Sequence, residues 1–357
     1  MAVKHSSGLE VVSIGGGTGL STVLSGLKDY VGNEVSQAVW LNLLTAIVTV
    51  TDDGGSSGRL REEFQMLAPG DVRNCIAALA EDEHLLTKLL RYRFDSNGDL
   101  SGHNLGNLLL TALTNITGNF LDAIKVISEV LAIKGRIFPS TMENASLLAE
   151  LVDGRIIEGE SKITEARSRI NRLWLSHECH PLSETLEAIE KADIITIGPG
   201  SLFTSLIPNL LVKGIVEAIC KSSALKIYIC NIMTQPGETE GFGGEDHLRT
   251  LFAYSPRLKF DYVMVNSTPI SAELREKYLA DGSVQVEFKQ DATQTFAPNT
   301  ETVVSLGEHA TQRFQIIRSD LLSESGLVRH DPRKLARLIM DLYVAEILEA
   351  DRPALNC

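Results

Sequence analysis

Short apolar runs separated by helical periods dominate both ends of the chain. Residues 9–14 and 41–50 are apolar runs of strand length, and each is followed by a polar, glycine-rich loop. Three further runs, at 193–197, 226–230 and 262–265, have the same character, with apolar residues at helical spacing between them. Strands that alternate with helices form parallel βαβ units, so we expect a Rossmann-like, doubly wound, mostly parallel sheet of the α/β class.

The middle of the chain has a different pattern. Residues 71–94 and two segments up to residue 131 have apolar residues at helical spacing. After residue 136 the runs become short and β-like, and the pair Asp153–Gly154 between two of them indicates a hairpin. This stretch therefore predicts a subdomain that is first helical and then β, inserted into the sheet domain.

The length of the chain supports this division. A chain of 357 residues is longer than one ordinary core requires. We predict that residues 9–71 and 191–347 form a Rossmann-like nucleotide-binding domain and that residues 72–190 form the insert. Near the end of the second segment, Asp331 is predicted to cap the last helix and Pro332 to occupy its first position.

Composition and charge argue against several classes of protein. The net charge is −13 and no dense Lys/Arg cluster occurs, so we do not expect a nucleic-acid binder. No apolar run is long enough to span a bilayer and no signal peptide is recognisable, so we expect a cytoplasmic protein without a membrane span.

Five scattered cysteines indicate no disulfide framework. His177, Cys179 and His180 are zinc-ligand types, but no second ligand pair follows, and we predict no metal there.

Polar loops follow four of the predicted strands. Ligands in open α/β sheets bind beyond the carboxyl ends of the strands. The loops 15–19, 52–59, 198–201 and 231–239 occupy such positions, and their coincidence on one sheet edge is the main indication of function. In the first loop, backbone N–H groups can approach an anion at a helix N-terminus, although a tight turn without a ligand gives the same pattern. Its residues are Gly15, Gly16, Gly17, Thr18 and Gly19.

Two carboxylates and an arginine mark the second loop. Asp52 and Asp53 can hold ribose hydroxyls, a substrate hydroxyl or Mg²⁺, and Asp53 is the catalytic candidate if the chain is an enzyme. Aspartates beside glycines and serines are also ordinary turn chemistry. Arg59 can donate two hydrogen bonds to a phosphate, although most surface arginines are only solvated.

Three further segments carry candidate ligand contacts. His103, Asn104 and Asn107 open an apolar helix, where they can recognise a base or a sugar, while Asn104 can equally serve only as the helix cap. The remaining candidates are Gly198, Gly200 and Ser201 at another helix start, Asn231 after the next strand, and Arg329, which is predicted to contact a diphosphate.

Taken together, these segments resemble a known superfamily. The chain is similar to the 2-phospho-L-lactate transferase-like superfamily, and within it to the bacterial gluconeogenesis factors. The similarity covers residues 9–347 in the same motif order. The matching segments are 14–19 (IGGGTG), 51–60 (TDDGGSSGRL), 102–107 (GHNLGN), 198–209 (GPGSLFTSLIPN), 231–239 (NIMTQPGET) and 329–331 (RHD).

The resemblance implies a nucleotide ligand. The transferase branch moves a phospholactyl group from a guanosine-linked donor to a deazaflavin alcohol. The gluconeogenesis-factor branch is instead associated with UDP-sugar binding, cell-wall synthesis and cell shape during growth on gluconeogenic carbon. We therefore expect a UDP-sugar-binding regulator that forms a dimer and has cell-wall synthesis proteins as partners. A transferase acting on a nucleotide diphosphate-linked donor is the alternative.

Two further points concern the ligand and its regulation. An NAD-dependent oxidoreductase is disfavoured, because no acidic residue follows the first glycine loop at the usual spacing of about 20 residues. No cofactor beyond the nucleotide, with or without Mg²⁺, is predicted. Relatives often carry a threonine after the Arg-His-Asp segment, which is a phosphorylation position. Pro332 stands there in this chain, which argues against that mode of regulation.

Overall fold

A central sheet organises the protein. The computed structural model describes residues 8–32, 39–81, 85–95, 97–288, 301–305 and 311–350. Within these residues the strands are β1 (Leu9–Gly15), β2 (Leu41–Val48), β3 (Arg136–Pro139), β4 (Leu147–Leu151), β5 (Ile156–Glu158), β6 (Ile170–Leu175), β7 (Ile194–Ile197), β8 (Leu225–Ile229), β9 (Tyr262–Asn266), β10 (Glu301–Ser305), β11 (Thr311–Ser319), β12 (Leu322–Glu324) and β13 (Val328–His330).

Eight of these strands pair in the order β10-β11-β9-β8-β7-β1-β2-β3. All neighbours are parallel except β10, which lies antiparallel to β11 at one edge. The chain builds outward from β1 to β2 and β3 on one side, and then forms β7, β8 and β9 on the other. The strand order therefore reverses between β1 and β7, as in doubly wound folds, which confirms the predicted α/β architecture.

Helices cover both faces of this sheet. Val11 of β1 packs in one core cluster with residues of the first, third and last helices, whereas its neighbours Val12 and Ile14 pack in a second cluster on the other face. The central strands are apolar on both sides because both faces are buried. The helices are α1 (Gly17–Leu27), α2 (Gly55–Phe64), α3 (Gly70–Leu79), α4 (Leu85–Arg91), α5 (Leu105–Thr117), α6 (Phe120–Val130), α7 (Glu160–Glu165), α8 (Ser183–Lys191), α9 (Ile207–Leu211), α10 (Ile215–Lys221), α11 (Gly244–Tyr254), α12 (Ala272–Ala280) and α13 (Pro332–Ala350).

The predicted insert is only partly separate from the sheet. Strands β5, β4 and β6 form a small antiparallel sheet, and the β4–β5 pairing confirms the predicted hairpin at Asp153–Gly154. Strand β3, however, lies inside the range 72–190 and pairs in parallel with β2, so it belongs to the main sheet. The helical stretch predicted at 71–94 contains two helices, α3 and α4. The domain boundaries at residues 71 and 191 stay predictions.

The start of the last helix follows the sequence pattern. Asp331 Oδ1 accepts hydrogen bonds from the backbone N–H groups of Arg333 at 2.9 Å and Lys334 at 3.0 Å, and α13 begins at Pro332. The predicted cap is thus confirmed. Gly26 of α1 packs on this helix start, where a Cβ would lie 2.0 Å from the Pro332 carbonyl oxygen. Close contact between α1 and α13 therefore requires glycine at position 26.

A helix that crosses a bilayer needs about 20 consecutive, predominantly apolar residues. Among the helices that the structure describes, no single one is both long enough and apolar enough to cross a membrane. One pair, Leu202–Leu211 with Ile215–Lys221, meets the length and composition requirement together but is bent by 79°.

Candidate functional site

The four candidate loops lie side by side. They follow β8, β7, β1 and β2, which are consecutive strands of the sheet. Gly15 of β1 pairs with Val48 of β2, Ile14 pairs with Ile197 of β7, and Ile197 pairs with Tyr228 of β8, so the strand ends are nearly level. The loops therefore open at one edge, at the point where the strand order reverses. Open α/β sheets bind their ligands at this position.

The loop after β1 is shorter than predicted. Helix α1 begins at Gly17, so Thr18 and Gly19 lie in its first turn and not in the loop. Gly17 has φ +60°, a conformation that glycine adopts without strain. A Cβ on Gly19 would lie 2.1 Å from the Pro199 carbonyl oxygen. The first turn of α1 therefore contacts the loop after β7, and only glycine at position 19 allows that contact.

A carboxylate occupies the N-terminus of α1. The carboxyl group of Asp71, at the start of α3, packs against this helix end, where a Cβ on Gly16 would lie 2.6 Å from Asp71 Oδ2. Burial raises the pKa of Asp71 to about 7, and Asp52 raises it as well, while the Gly17 backbone N–H and Arg73 oppose the shift. A carboxyl group of the protein itself therefore occupies the helix end at which a ligand anion is expected, which the sequence did not predict.

The two aspartates of the second loop face different partners. Asp52 Oδ1 accepts a hydrogen bond from the Gly54 N–H at 2.8 Å, the turn contact common for this residue type. Its other oxygen lies at the start of α3, where a Cβ on Gly70 would be 2.6 Å away. Asp53 Oδ1 accepts a hydrogen bond from the Ser161 N–H at 2.8 Å and so holds the first turn of α7. Asp52 is thus directed toward α3, and Asp53 toward the insert.

Further carboxylates lie beside Asp52 and Asp71. Burial raises the pKa of Glu160 well above its ordinary value, and the charges of Asp52 and Asp71 add to this effect. Burial also raises the pKa of Glu238, which accepts a hydrogen bond from the Ser201 hydroxyl. We refer to Asp52, Asp71 and Glu160 as the acidic cluster. Carboxyl groups that lie this close together share protons or bind a cation, and such oxygen donors are the ligands that Mg²⁺ prefers.

Asn231 holds the loop after β7. Its Nδ2 donates a hydrogen bond to the Gly200 carbonyl oxygen at 2.7 Å, and its Oδ1 accepts one from the Gly200 N–H at 3.0 Å. Gly198, with φ +82°, begins this loop, and Ser201 Oγ ends it by accepting a hydrogen bond from the Thr204 N–H at 3.3 Å. The Gly200 N–H group, predicted to bind an anion, is thus bonded within the protein, and Asn231 positions the loop.

The segment 103–107 docks onto α2. Ser56 Oγ lies 3.2 Å from His103 Nδ1, and it accepts hydrogen bonds from the Asn104 N–H and from Asn107 Nδ2, both at 3.2 Å. Asn104 Oδ1 also accepts from the backbone N–H two residues ahead, at 3.0 Å, so it caps α5. Burial lowers the pKa of His103. The structure therefore joins this segment to the helix that follows the second loop, a contact that the sequence did not predict.

The two predicted phosphate-binding arginines lie in different surroundings. Arg59, in α2, is exposed and donates from Nη2 to the Ser101 carbonyl oxygen at 2.8 Å. Arg329 is exposed in β13, opposite Ser323 of β12, and so lies in a strand immediately before the cap of α13. Arg329 therefore lies in a short antiparallel hairpin.

Two other arginines lie next to the acidic cluster. Arg61 Nε donates to Asn144 Oδ1 at 2.7 Å, and its Nη2 donates to the Ala145 carbonyl oxygen at 2.6 Å. Arg73 Nη1 donates to Asn107 Oδ1 at 3.1 Å. Burial lowers the pKa of both guanidinium groups, and nearby aspartates oppose that shift. These arginines place positive charge beside the carboxylates and connect them to α5 and to the segment after β3.

Comparison with known sequences gives a match over most of the chain. Residues 11–304 match the family model described as 2-phospho-L-lactate transferase CofD. The gluconeogenesis factor of Bacillus subtilis (strain 168) is 42% identical over 335 residues, which cover 93% of this chain and 98% of that protein. A protein from Nostoc sp. (strain PCC 7120) with a gluconeogenesis-factor name is 47% identical over 340 residues, covering 94% of this chain and 69% of that protein.

Comparison with solved structures gives the same fold. The crystal structure of a UPF0052 family member from Bacillus halodurans matches with a TM-score of 0.82 and 43% sequence identity. The match covers 94% of this chain and 99% of that chain. The parallel sheet and its flanking helices are therefore shared with an experimental structure.

Proposed function

Because the chain belongs to the 2-phospho-L-lactate transferase CofD family, we propose that it binds a nucleotide diphosphate-linked ligand, a UDP-sugar, at the carboxyl edge of β8, β7, β1 and β2. The observation that carries this proposal is that four consecutive strands end in glycine-, aspartate- or asparagine-bearing loops where the strand order reverses. The similarity to gluconeogenesis factors supports a regulatory role, which we propose is exerted on cell-wall synthesis and cell shape during gluconeogenic growth.

The acidic cluster determines how a diphosphate approaches this edge. Asp71 occupies the N-terminus of α1, and Asp52 and Glu160 lie beside it, so an incoming phosphate meets carboxyl oxygens at this edge. We propose that Mg²⁺ binds together with the nucleotide and that Asp52 and Asp71 supply oxygen ligands. The donor set fits this ion, because Asp52 and Asp71 bring carboxylate oxygens together at one place, and repulsion from Asp52 adds to burial in raising the pKa of Asp71. The cation would neutralise this repulsion and bind the phosphate oxygens.

A transferase is the second candidate, and one observation favours it. The pKa of Asp71 is raised to about 7, close to the value that suits a general base at neutral pH. In a transferase, Asp71 would take the proton from an acceptor hydroxyl near the phosphates. Asp53, the catalytic candidate from the sequence, instead accepts the Ser161 N–H, which leaves it less available. A regulator requires the same binding groups but no proton transfer.

Binding is tested by thermal unfolding with UDP-N-acetylglucosamine and Mg²⁺. A ligand at 100 times its Kd stabilises the protein by about 2.7 kcal/mol, so the melting temperature should rise clearly. NAD and GDP serve as matched controls. Stabilisation by NAD alone, with UDP-sugars inert, would contradict the proposed ligand.

Turnover is tested on the same mixture by chromatography of the nucleotide. A regulator leaves UDP-N-acetylglucosamine intact while binding it. Steady release of UDP or UMP that disappears in Asp71→Asn but persists in the exposed control Asp99→Asn would establish the transferase in its place.

A further inference from the structure

A second cluster of metal-ligand side chains lies outside the nucleotide edge. A carboxylate oxygen of Glu143, a ring nitrogen of His177 and Sγ of Cys179 lie within 4.8 Å of one another. Glu143 belongs to the segment between β3 and β4, whereas the other two residues follow β6. The sequence offered only the histidine–cysteine run, from which no metal was predicted. The fold adds a third donor that is distant in the chain.

We propose that Glu143, His177 and Cys179 bind a zinc ion, with water in the fourth position. One oxygen, one nitrogen and one sulfur donor form a set that Zn²⁺ accepts in tetrahedral geometry. A thiolate ligand disfavours Mg²⁺ and Ca²⁺, which prefer oxygen donors. Cys179 is buried, whereas the side chains of His177 and Glu143 are 48% and 40% exposed, so the cluster is open to solvent on one side and can take a water molecule.

The histidine is held in the orientation that a metal ligand requires. His177 Nδ1 lies 3.1 Å from Ser176 Oγ, and its Nε2 lies 3.7 Å from Glu143 Oε2. Ser176 Oγ is fixed in turn by a hydrogen bond from the Ser146 N–H at 3.1 Å. Metal-binding histidines commonly donate their second ring N–H to such a partner, which turns the other nitrogen toward the ion. Ser176 is therefore a positioning residue for the site.

The Glu143 carboxylate and the Cys179 backbone are also fixed from outside the cluster. The His180 N–H donates to Glu143 Oε1 at 2.7 Å, and the Lys213 N–H donates to the Cys179 carbonyl oxygen at 2.9 Å. Burial raises the pKa of the Cys179 thiol to about 11, so the metal-free residue carries its proton. Zinc binding breaks the S–H bond, forms an S–Zn bond and releases the proton to solvent.

The alternative account of these contacts is a surface ion pair between Glu143 and the two histidines. Exposed pairs of this kind contribute about 0–1 kcal/mol and need no thiol. Cys179 Sγ packs in the apolar core and donates a hydrogen bond to the His177 carbonyl oxygen at 3.5 Å, and it also lies within reach of both ligand side chains, which the ion pair does not require. The site also has a structural consequence, because Asn144 and Ala145 directly follow Glu143 and hold Arg61 beside the acidic cluster. A zinc ion would fasten this segment to the end of β6.

The test uses the full chain, freed of metal with a chelator, reloaded with Zn²⁺ and dialysed. Elemental analysis should find about one zinc ion per chain. Cys179→Ser and His177→Ala should lose it, while Cys220→Ser, which removes an exposed free thiol elsewhere, should keep it. Ser176→Ala should lower zinc affinity by about 10- to 100-fold without abolishing the site.

Cobalt substitution of the unmutated protein supplies a readout that does not depend on the folding of a variant. The proposal predicts a thiolate-to-cobalt charge-transfer band together with the visible bands of tetrahedral Co²⁺. Failure to retain zinc, full zinc retention by Cys179→Ser, or a cobalt spectrum without the thiolate band would each overturn the proposal. None of these measurements involves a nucleotide, so the result is independent of the proposed function.

Discussion

The Asp71 carboxyl group packs against the first turn of α1, where a Cβ on Gly16 would lie 2.6 Å from Asp71 Oδ2. A helix N-terminus favours an anion, and in this structure a carboxyl group from α3 occupies that position. The glycine loop is therefore first a contact between α1 and α3. If a phosphate binds at this edge of the sheet, as we propose, the charge state of Asp71 affects its binding.

The first prediction concerns stability as a function of pH. Burial raises the pKa of Asp71 from 3.8 to about 7, so the folded state binds this proton more tightly than the unfolded state. The resulting stabilisation is fully present below the unfolded pKa and is lost as the pH rises through about 7. The raised pKa of Glu160 acts in the same direction. Without divalent cations, the contribution of these two carboxyl groups to the free energy of unfolding should therefore be smaller at about pH 8 than at about pH 5, while buried His330, whose pKa is lowered to about 4, contributes in the opposite direction.

Asp71→Asn isolates the contribution of this residue. The amide resembles the carboxyl group in shape but cannot ionise, so the slope of the free energy of unfolding with pH should become more positive in this variant. Urea unfolding measures this slope, with Asp99→Asn, an exposed aspartate, as the control. A slope as steep in Asp71→Asn as in the unmutated protein would show that Asp71 is ionised normally in the folded state.

The second prediction concerns the contact between Asn231 and Gly200. Asn231→Ala leaves the N–H and the carbonyl group of Gly200 without their partner, and each unsatisfied group costs about 1–3 kcal/mol. Both the melting temperature and the UDP-sugar affinity should fall, because the loop after β7 loses its support. Asn231→Asp should not rescue either property, since a carboxylate oxygen would then face the Gly200 carbonyl oxygen.

Calorimetric titration and thermal unfolding of these variants decide the matter, with Asn97→Ala as an exposed control. An unchanged melting temperature and an unchanged UDP-sugar affinity in Asn231→Ala would show that Asn231 does not position the loop after β7.

The third prediction concerns the closeness of α1 to the loop after β7. Gly19→Ala places a methyl group 2.1 Å from the Pro199 carbonyl oxygen, so backbone must move and the protein should be destabilised. Helix propensity alone predicts the opposite effect on stability, because alanine stabilises a helix by about 1 kcal/mol relative to glycine. Gly98→Ala, with no atom within 4 Å of the added Cβ, is the matched control. A higher melting temperature for Gly19→Ala would show that α1 does not approach the loop this closely.

The sheet could be predicted from the sequence because its strands are buried on both faces. Continuous apolar runs such as 41–50, each ending in a polar loop, indicate parallel strands and their carboxyl ends. The sequence does not separate strand β3 from the insert, because its four residues lie among other short β-like runs and only its pairing with β2 places it in the main sheet. The early start of α1 is not predictable, because Gly17 and Gly19 favour a loop by propensity and a tertiary contact reverses that preference.

The candidate site was predictable only where it follows strand ends. The loop residues Gly16, Asp52 and Asn231 could be placed at one edge from strand order alone. Asp71 could not be assigned to the site in this way. Acidic residues are common in the first turn of any helix, because the helix dipole favours negative charge there. Glu160 is brought beside Asp71 only by the folding of the insert. The acidic cluster therefore depends on contacts that are distant in sequence, which no local pattern encodes.

The fourth prediction concerns Arg329, whose role in ligand binding stays a prediction. Its side chain is exposed in β13, just before the N-terminus of α13, where a helix end and a guanidinium can bind one diphosphate together. A charge-assisted hydrogen bond contributes roughly 1.5–3 kcal/mol, so Arg329→Ala should weaken UDP-sugar binding by about 10- to 150-fold. The melting temperature without ligand should barely change, because Asp331 still caps the helix.

Titration calorimetry and thermal unfolding of Arg329→Ala test this, with the exposed Arg337→Ala on the same helix as control. Unchanged affinity, or a protein that unfolds before it can be titrated, would show that Arg329 supports the fold or is only solvated.

The central claim, that this sheet edge binds a nucleotide diphosphate-linked sugar together with a divalent cation, is tested most directly by calorimetric titration of the unmutated protein with UDP-N-acetylglucosamine, once in Mg²⁺ and once in EDTA. The account predicts saturable binding in Mg²⁺ that weakens by at least about tenfold in EDTA, because the acidic cluster then repels the phosphates. Absence of binding in both buffers, or equal affinity in both, would contradict it.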